Sequence, residues 1–382
     1  MTINQAICTI IAKNYISYAR TLCQSFVAHH PNGKFYVLIV DEWENYIDPA
    51  QESFEIISVR ELGIPHLKSF CFKYDVVELS TAVKPFLLEY LLGSKSLDSL
   101  LYLDPDILIT NSLSNLFSDL SHHEILVTPH LDTDYPEDGA MPDDGWIMKA
   151  GVFNLGFIGI ALSENTQAFL NWWKGKLYNK CVVSPHQGYF VDQKFIDLAI
   201  TLFDFIYIER NVGYNVAYWN LHSRCITREG NSWKCNGQPL HFFHFSGYRV
   251  EEPDQICRWI TRYNLSNRLD LKDLFAEYRE KLLENGYAQT RSWPYSYATF
   301  NTGEVIPYTI RSHFRWSLNN RNPLDNPFAS SALKRKAVKI QLRKQRRYLL
   351  TFVNHKARQV LRPLYRVLLI LQKRHHGFKH PK

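Results

Sequence analysis

Residues 34–40 read Lys-Phe-Tyr-Val-Leu-Ile-Val, and no other stretch constrains the fold as tightly. Successive side chains on a strand alternate between faces, so an unbroken apolar run makes both faces apolar. Such a strand belongs in a parallel sheet covered by helices on both sides. The flanking segments agree. Residues 6–11 form an apolar strand, and residues 15–29 carry Ile16, Ala19, Leu22 and Phe26 at helical spacing before stopping at Pro31-Asn32-Gly33. Residues 54–59 read as a further strand. Ser80-Thr81 is expected to cap a helix running to residue 92, with Pro85 in its first turns and Gly93 at its end. Strands over 100–103 and 124–128 follow. This alternation predicts an α/β sheet whose ligands sit at the carboxyl ends of its strands.

One of those ends is Leu103-Asp104-Pro105-Asp106. Side chains two apart on an extended segment point to the same side, so the Asp104 and Asp106 carboxylates can converge on one hard cation. Mg²⁺ and Mn²⁺ prefer oxygen ligands and commonly complete their shell with substrate phosphates. Asp and Pro are also ordinary turn residues, and a plain turn is the competing explanation. The position at a strand's carboxyl end favours chemistry.

The second half is less regular. Residues 131–150 are acidic and rich in Pro and Gly, as expected of a mobile loop over a site. Strands are expected over 157–162 and 204–209, with a helix between them over 166–177. His241-Phe242-Phe243-His244-Phe245 forms a short aromatic strand ending at Ser246-Gly247, and a helix follows over 269–285. Hydrophobic residues make up 46% of the 382-residue chain and aromatics 14%, which excludes a disordered protein. No run reaches the roughly 18–20 apolar residues of a membrane span, and no secretory signal pattern opens the chain. The seven cysteines are scattered without a C-x-x-C pair, which argues against a zinc ribbon or disulfide scaffold. Cys225 and Cys235 are expected as thiols, and a reducing, cytoplasmic compartment follows.

The net charge of +7 conceals an asymmetry: residues 329–382 hold sixteen Lys and Arg and no acid, leaving 37 acids against 28 bases in the rest. From residue 349, Val353, Ala357, Val360, Leu364, Leu368 and Leu371 step by three or four between Lys356, Arg358, Arg362 and Arg366. This predicts a basic amphipathic helix bent at Pro363, suited to the inner face of an anionic membrane. A helix packed on the body through the same stripe is the alternative. Nucleic acid is not an expected partner, because no recognition motif accompanies the charge.

Several local patterns recur in one order: Asn14-Tyr15 after the first strand, Lys84, Asp104-Pro105-Asp106, Phe153-Asn154-Leu155-Gly156-Phe157, Asp192-Gln193, Tyr214-Asn215 with Trp219-Asn220, and His244-Phe245-Ser246-Gly247. The ordered set resembles nucleotide-sugar glycosyltransferases of the GT-A fold, and is most similar to the family 8 type and its bacterial relatives. The resemblance covers residues 5–250. It implies a Rossmann-like mixed α/β sheet flanked by helices, here followed by a basic helical tail. The implied organisation is a GT-A domain over 1–260, a helical and aromatic extension over 261–326 and the basic tail over 327–382.

The resemblance also implies roles. Asp104, Asp106 and His244 would hold Mn²⁺ or Mg²⁺, with His241 as a competing ligand. Asn14, Tyr15, Lys84, Asp104, Gly247 and Arg249 would bind the donor, Tyr15 by stacking on the nucleobase and Lys84 by reaching the diphosphate. Asn154, Asp192 and Gln193 would act at the reacting sugar. The family's Lys-Pro-Trp after the glycine is absent, and Tyr248-Arg249-Val250 stands there. The implied reaction moves a sugar from a nucleotide-diphosphate donor, with a UDP-sugar favoured, to a hydroxyl of a glycan or lipid-linked acceptor in cell-surface polysaccharide synthesis. Retention needs no dedicated base, whereas inversion would recruit Asp143, Asp144 or Asp192. Two other classes compete: a non-catalytic peripheral membrane or sugar-binding protein of the same fold, and a haloacid-dehalogenase-type phosphatase. The latter needs Thr or Val where this chain has Leu108.

Overall fold

The computed structural model describes residues 4–318, 324–336 and 339. Seven strands form the central sheet: β1 (Gln5–Ile11), β2 (Lys34–Ile39), β3 (Glu55–Ser58), β4 (Ser99–Leu103), β6 (Ile125–Pro129), β7 (Phe153–Ala161) and β8 (Ile206–Ile208). Their spatial order is β8-β6-β7-β4-β1-β2-β3. Only β7 runs antiparallel to its neighbours, β4 and β6; the remaining pairs are parallel. Two further strands, β5 (Ile107–Ile109) and β9 (Phe242–His244), pair antiparallel beyond the carboxyl end of β4. The expected mixed α/β sheet flanked by helices is therefore present.

The apolar runs explain the layers. Along β2, Tyr36 and Leu38 enter one core, while Phe35, Val37 and Ile39 enter the other. Strand β4 divides the same way, with Leu100 and Tyr102 on one face and Leu101 and Leu103 on the opposite one. The helices Lys84–Ser94 and Glu164–Lys180 cover the first face, and Ile16–His29 covers the second. A third cluster gathers Phe243, Phe245, Phe275 and Tyr278, so the helix Lys272–Glu284 packs behind β9.

The helix expected from Ser80-Thr81 begins differently. Asp75 and Glu78 form a capping box for Val76–Ala82, and a second helix starts at Lys84 with Pro85 in its first turn. Ser80 and Thr81 lie inside the first helix, with their hydroxyls donating to the carbonyls of Val76 and Val77 four residues back. The loop over residues 131–150 contains the helix Asp144–Ala150, and arginines tie it down: Arg224 grips Asp132, and Arg262 bonds Asp138 and the Ala140 carbonyl. All seven cysteines are free thiols.

The described residues 301–318 and 324–336 pack on the body, since Ile306, Ile310, Phe314, Phe328 and Leu333 share the core of the main sheet. Among the described residues no helix is long and apolar enough to cross a membrane. The basic amphipathic helix expected from residue 349 lies outside the described residues.

A buried ion pair closes the carboxyl ends of β1 and β2. Lys13 Nζ lies 2.7 Å from Asp41 Oδ2, and the Lys13 backbone N–H donates to Asp41 Oδ1 at 2.9 Å. Ser296 joins from the C-terminal extension, accepting from Lys13 Nζ at 2.8 Å and donating its backbone N–H to Asp41 Oδ2 at 3.1 Å. Neither charged side chain reaches water, so removing one partner strands the other. Asp41→Ala is expected to destabilise the protein by about 3–5 kcal/mol, read as a lower urea midpoint at unchanged slope.

Candidate functional site

Asp104 and Asp106 converge on His244, but by a different route from strand alternation. Residues 105 and 106 form a turn between β4 and β5. The Asp104 N–H donates to the Gly156 carbonyl at 2.8 Å, extending the β4–β7 ladder by one bond. Across the turn, β5 pairs with β9 in the register Ile107↔His244, Leu108↔Phe243 and Ile109↔Phe242. The Phe245 N–H donates to the Asp106 carbonyl at 2.8 Å. A residue far along the chain is thereby locked beside the aspartates. Leu108, the position that would carry Thr or Val in the phosphatase reading, is buried in the third cluster.

His244 Nε2 lies 3.0 Å from Asp106 Oδ1 and 3.8 Å from Asp104 Oδ2, and one ligand atom of each residue lies within 4.8 Å of the others. The histidine side chain is 3% exposed, whereas those of Asp104 and Asp106 are 30% and 25% exposed. The cluster is therefore anchored on its imidazole side and open on its carboxylate side. Its two carboxylates and one imidazole suit Mn²⁺, which accepts nitrogen as well as oxygen. Burial pulls the His244 pKa down, but Asp106 and Asp104 outweigh burial and hold it above the usual value.

The imidazole is aimed by a buried amide chain. Asn215 Oδ1 lies 3.2 Å from His244 Nδ1. An amide oxygen only accepts, so Nδ1 carries the proton, and a neutral His244 turns the Nε2 lone pair toward the carboxylates. Asn215 Nδ2 donates to Thr128 Oγ1 at 2.8 Å and to Asn154 Oδ1 at 3.1 Å. Asn154 Oδ1 also accepts from the Gly156 N–H, and Asn154 Nδ2 lies 3.2 Å from His130 Nε2. Burial lowers the His130 pKa to about 3, so its imidazole stays neutral and accepts that bond. Asn215 adopts left-handed backbone geometry at φ +48°, a strain of about 1–3 kcal/mol that the surrounding bonds hold in place.

A second buried set lies beneath Asp104. Tyr102 donates its hydroxyl to Asp104 Oδ1 at 2.6 Å, and Lys84 Nζ sits 4.2 Å from the centre of the Tyr102 ring. Lys84 Nζ lies 2.6 Å from Asp192 Oδ2 and donates to the Leu155 carbonyl at 2.6 Å. Burial pushes the Asp192 carboxyl above its usual range, and Lys84 offsets part of that shift. Lys84 is thus buried under the site, not extended toward a diphosphate as expected. Val191, immediately before Asp192, takes φ +42°, an outlying conformation for a β-branched residue. Gln193 is buried, its amide donating to the Ala150 carbonyl at 3.0 Å.

Of the remaining expected residues, Tyr15, Gly247 and Arg249 lie on the open side. Tyr15, Asp106, Gly247, Arg249 and Arg258 line one cleft of about 620 Å³. Tyr15 is 42% exposed and stacks on Tyr18 with ring centres 4.5 Å apart, leaving a flat surface toward the cleft. Asn14 precedes it, placed by the Lys13–Asp41 pair. Arg249 pairs with Glu252 at 2.8 Å on the rim. His241 packs away from the aspartates, with Nδ1 2.7 Å from the Ser112 carbonyl oxygen. Asp143 caps its helix by accepting from the Trp146 N–H at 2.8 Å. Tyr102, Thr128, His130 and Gly156 also build the site, although no sequence pattern assigns them a role. Only Gly156 carried a signal, since a glycine inside a strand marks close approach by another group.

No family model matches the sequence. Two Bacillus subtilis (strain 168) proteins are similar to it. Uncharacterized protein YfnF is 25% identical over 281 residues, covering 72% of this chain and 91% of YfnF. Uncharacterized protein YfnD is 20% identical over 277 residues, covering 71% and 86%. Solved structures similar to this chain include glycosyltransferases. They include the galactosyltransferase LgtC in complex with donor and acceptor sugar analogs, at 18% identity and TM-score 0.45 over 72% of this chain and 95% of LgtC. Another is the glycosyltransferase GlyE of Streptococcus pneumoniae TIGR4, at 16% identity and TM-score 0.43 over 78% and 67%.

A Cβ at residue 156 would lie 2.3 Å from His244 Cε1 and 2.8 Å from Asn154 Oδ1. Gly156→Ala should therefore push the imidazole off its aim and weaken Mn²⁺ binding about 10–100-fold, in line with the loss of supporting contacts at metal sites. Mn²⁺ titration followed by electron paramagnetic resonance, with circular dichroism to verify folding, checks this.

Proposed function

We propose that this chain is a metal-dependent glycosyltransferase that moves a sugar from a nucleotide-diphosphate donor to a hydroxyl of a glycan or lipid-linked acceptor. The observation that carries the reading is the Asp104–Asp106–His244 cluster, whose Asp106 opens into the same cleft as the exposed ring of Tyr15. A nucleoside diphosphate has the matching pair of features, an aromatic base and an anionic diphosphate. A UDP-sugar is the favoured donor.

Asp104, Asp106 and His244 Nε2 would hold Mn²⁺, which when bound neutralises charge building on the departing diphosphate. Asn215 keeps the His244 proton on Nδ1 and leaves Nε2 free for that ligation. Tyr102 holds one Asp104 oxygen in place. Tyr15 offers its exposed face to the base. Asn154, Asp192 and Gln193 would act at the reacting sugar, with Asp192 held by Lys84 and Gln193 anchored to Ala150.

Retention is the favoured outcome. The bond from the anomeric carbon to the phosphate oxygen breaks, and its electron pair leaves with the diphosphate. The acceptor oxygen then bonds the anomeric carbon on the same face, and its proton passes to the departing phosphate oxygen. Two carboxylates that inversion would recruit as a base are already engaged, Asp192 by Lys84 and Asp143 by its helix cap. The basic tail suits an enzyme of cell-surface polysaccharide synthesis acting at the inner face of the cytoplasmic membrane.

Asp106→Ala should abolish Mn²⁺-dependent binding of UDP measured by calorimetry, and unchanged affinity would refute the metal assignment. Removing residues 341–382 spares the buried Phe328 and Leu333. That truncation should reduce sedimentation with anionic vesicles while leaving UDP binding intact; equal sedimentation of both forms would contradict a membrane role for the tail.

A further inference from the structure

Three arginines, Arg249, Arg258 and Arg291, line the cleft that contains Asp106 and Tyr15. Two of them are already neutralised. Arg249 pairs with Glu252 at 2.8 Å, and Arg291 pairs with Glu251. Arg258 has no acidic partner among the described residues and is exposed. With both glutamates paired, Arg258 is the cleft cation left unmatched among the described residues, in the same cleft as Asp106.

We propose that Arg258, and not Arg249, grips the donor diphosphate in the cleft it shares with Asp106; this rests on the nucleotide-sugar reading above. The guanidinium is held in a defined orientation, lying 4.5 Å from the centre of the Trp259 ring. Stacking on an aromatic face restricts Arg without consuming its N–H donors, and the forked donors match two phosphate oxygens.

The backbone that presents Arg258 is tied to the histidine strand. Its N–H donates to the Gly247 carbonyl at 3.3 Å. Gly247 takes φ +76°, and a Cβ there would lie 2.7 Å from both Cys257 Sγ and Trp259 Cζ3. Only glycine lets this segment close so tightly over the turn after β9. Three residues past His244 the chain thus receives a cation delivered from residue 258. Arg258 also exerts its charge on the Tyr15 hydroxyl, with Asp106 acting on that hydroxyl in the opposite sense. The base-stacking ring, the metal cluster and Arg258 therefore share one electrostatic neighbourhood.

The test is calorimetry on the full chain with Mn²⁺, screening UDP, GDP, ADP and dTDP and carrying forward the tightest binder. Arg258→Gln should weaken that nucleotide about 10–100-fold, the worth of a charge-assisted contact. Arg258→Lys should recover part of the loss, because the charge returns without the fork. Circular dichroism should be unchanged, since Arg258 lies on the surface. Wild-type affinity in Arg258→Gln, or a larger loss in Arg249→Gln, would overturn the assignment while leaving the site reading standing. Failure of all four nucleotides to bind the wild-type protein would overturn both.

Discussion

The antiparallel pairing of β5 with β9 is the interaction on which the site depends. Three register pairs bring His244 against the turn that holds Asp104 and Asp106. Closing so long a loop costs conformational entropy that no local contact returns. It is offset by the apolar residues on both strands: Ile107 and Phe242 enter the core beneath the sheet, while Leu108 and Phe243 enter the cluster around Tyr278. Phe245 stacks on Tyr278 with ring centres 3.7 Å apart, so the helix behind β9 holds the strand in register. A slip of one residue would turn His244 into the apolar cluster and Phe243 toward the aspartates.

Around that pairing, polar groups are buried in two connected sets. One aims the imidazole through Asn215, Asn154 and His130. The other supports Asp104 through Tyr102, with Lys84 and Asp192 beneath. Buried polar groups are costly unless bonded, so such chains persist where they fix a unique arrangement. Asn215 in the first set and Val191, next to Asp192 of the second, have left-handed backbones, as strain commonly gathers at sites where geometry matters more than stability.

The sheet was legible because alternation along β2 and β4 leaves no polar face, and few architectures accept such strands. Asp104 and Asp106 were legible as a strand-end pair, though the turn that makes them converge was not. Lys84 illustrates why the rest was hidden. A lysine in the first turn of a helix reads as a solvated or substrate-facing cation, and nothing local reveals that Leu155 and Asp192, from distant segments, will enclose it. Arg249 is matched locally, by Glu252 three residues on, whereas nothing local shows that Arg258 joins the same cleft. Ser80 and Thr81 looked like caps, but Asp75 with Glu78 supplied a stronger one a turn earlier.

The most direct test of the central claim is pulsed electron paramagnetic resonance on the protein with Mn²⁺ and UDP. Nitrogen modulation from one imidazole, lost in His244→Gln, is expected together with phosphorus coupling from the nucleotide. A Mn²⁺ spectrum showing only oxygen and water ligands, with neither coupling, would contradict that claim.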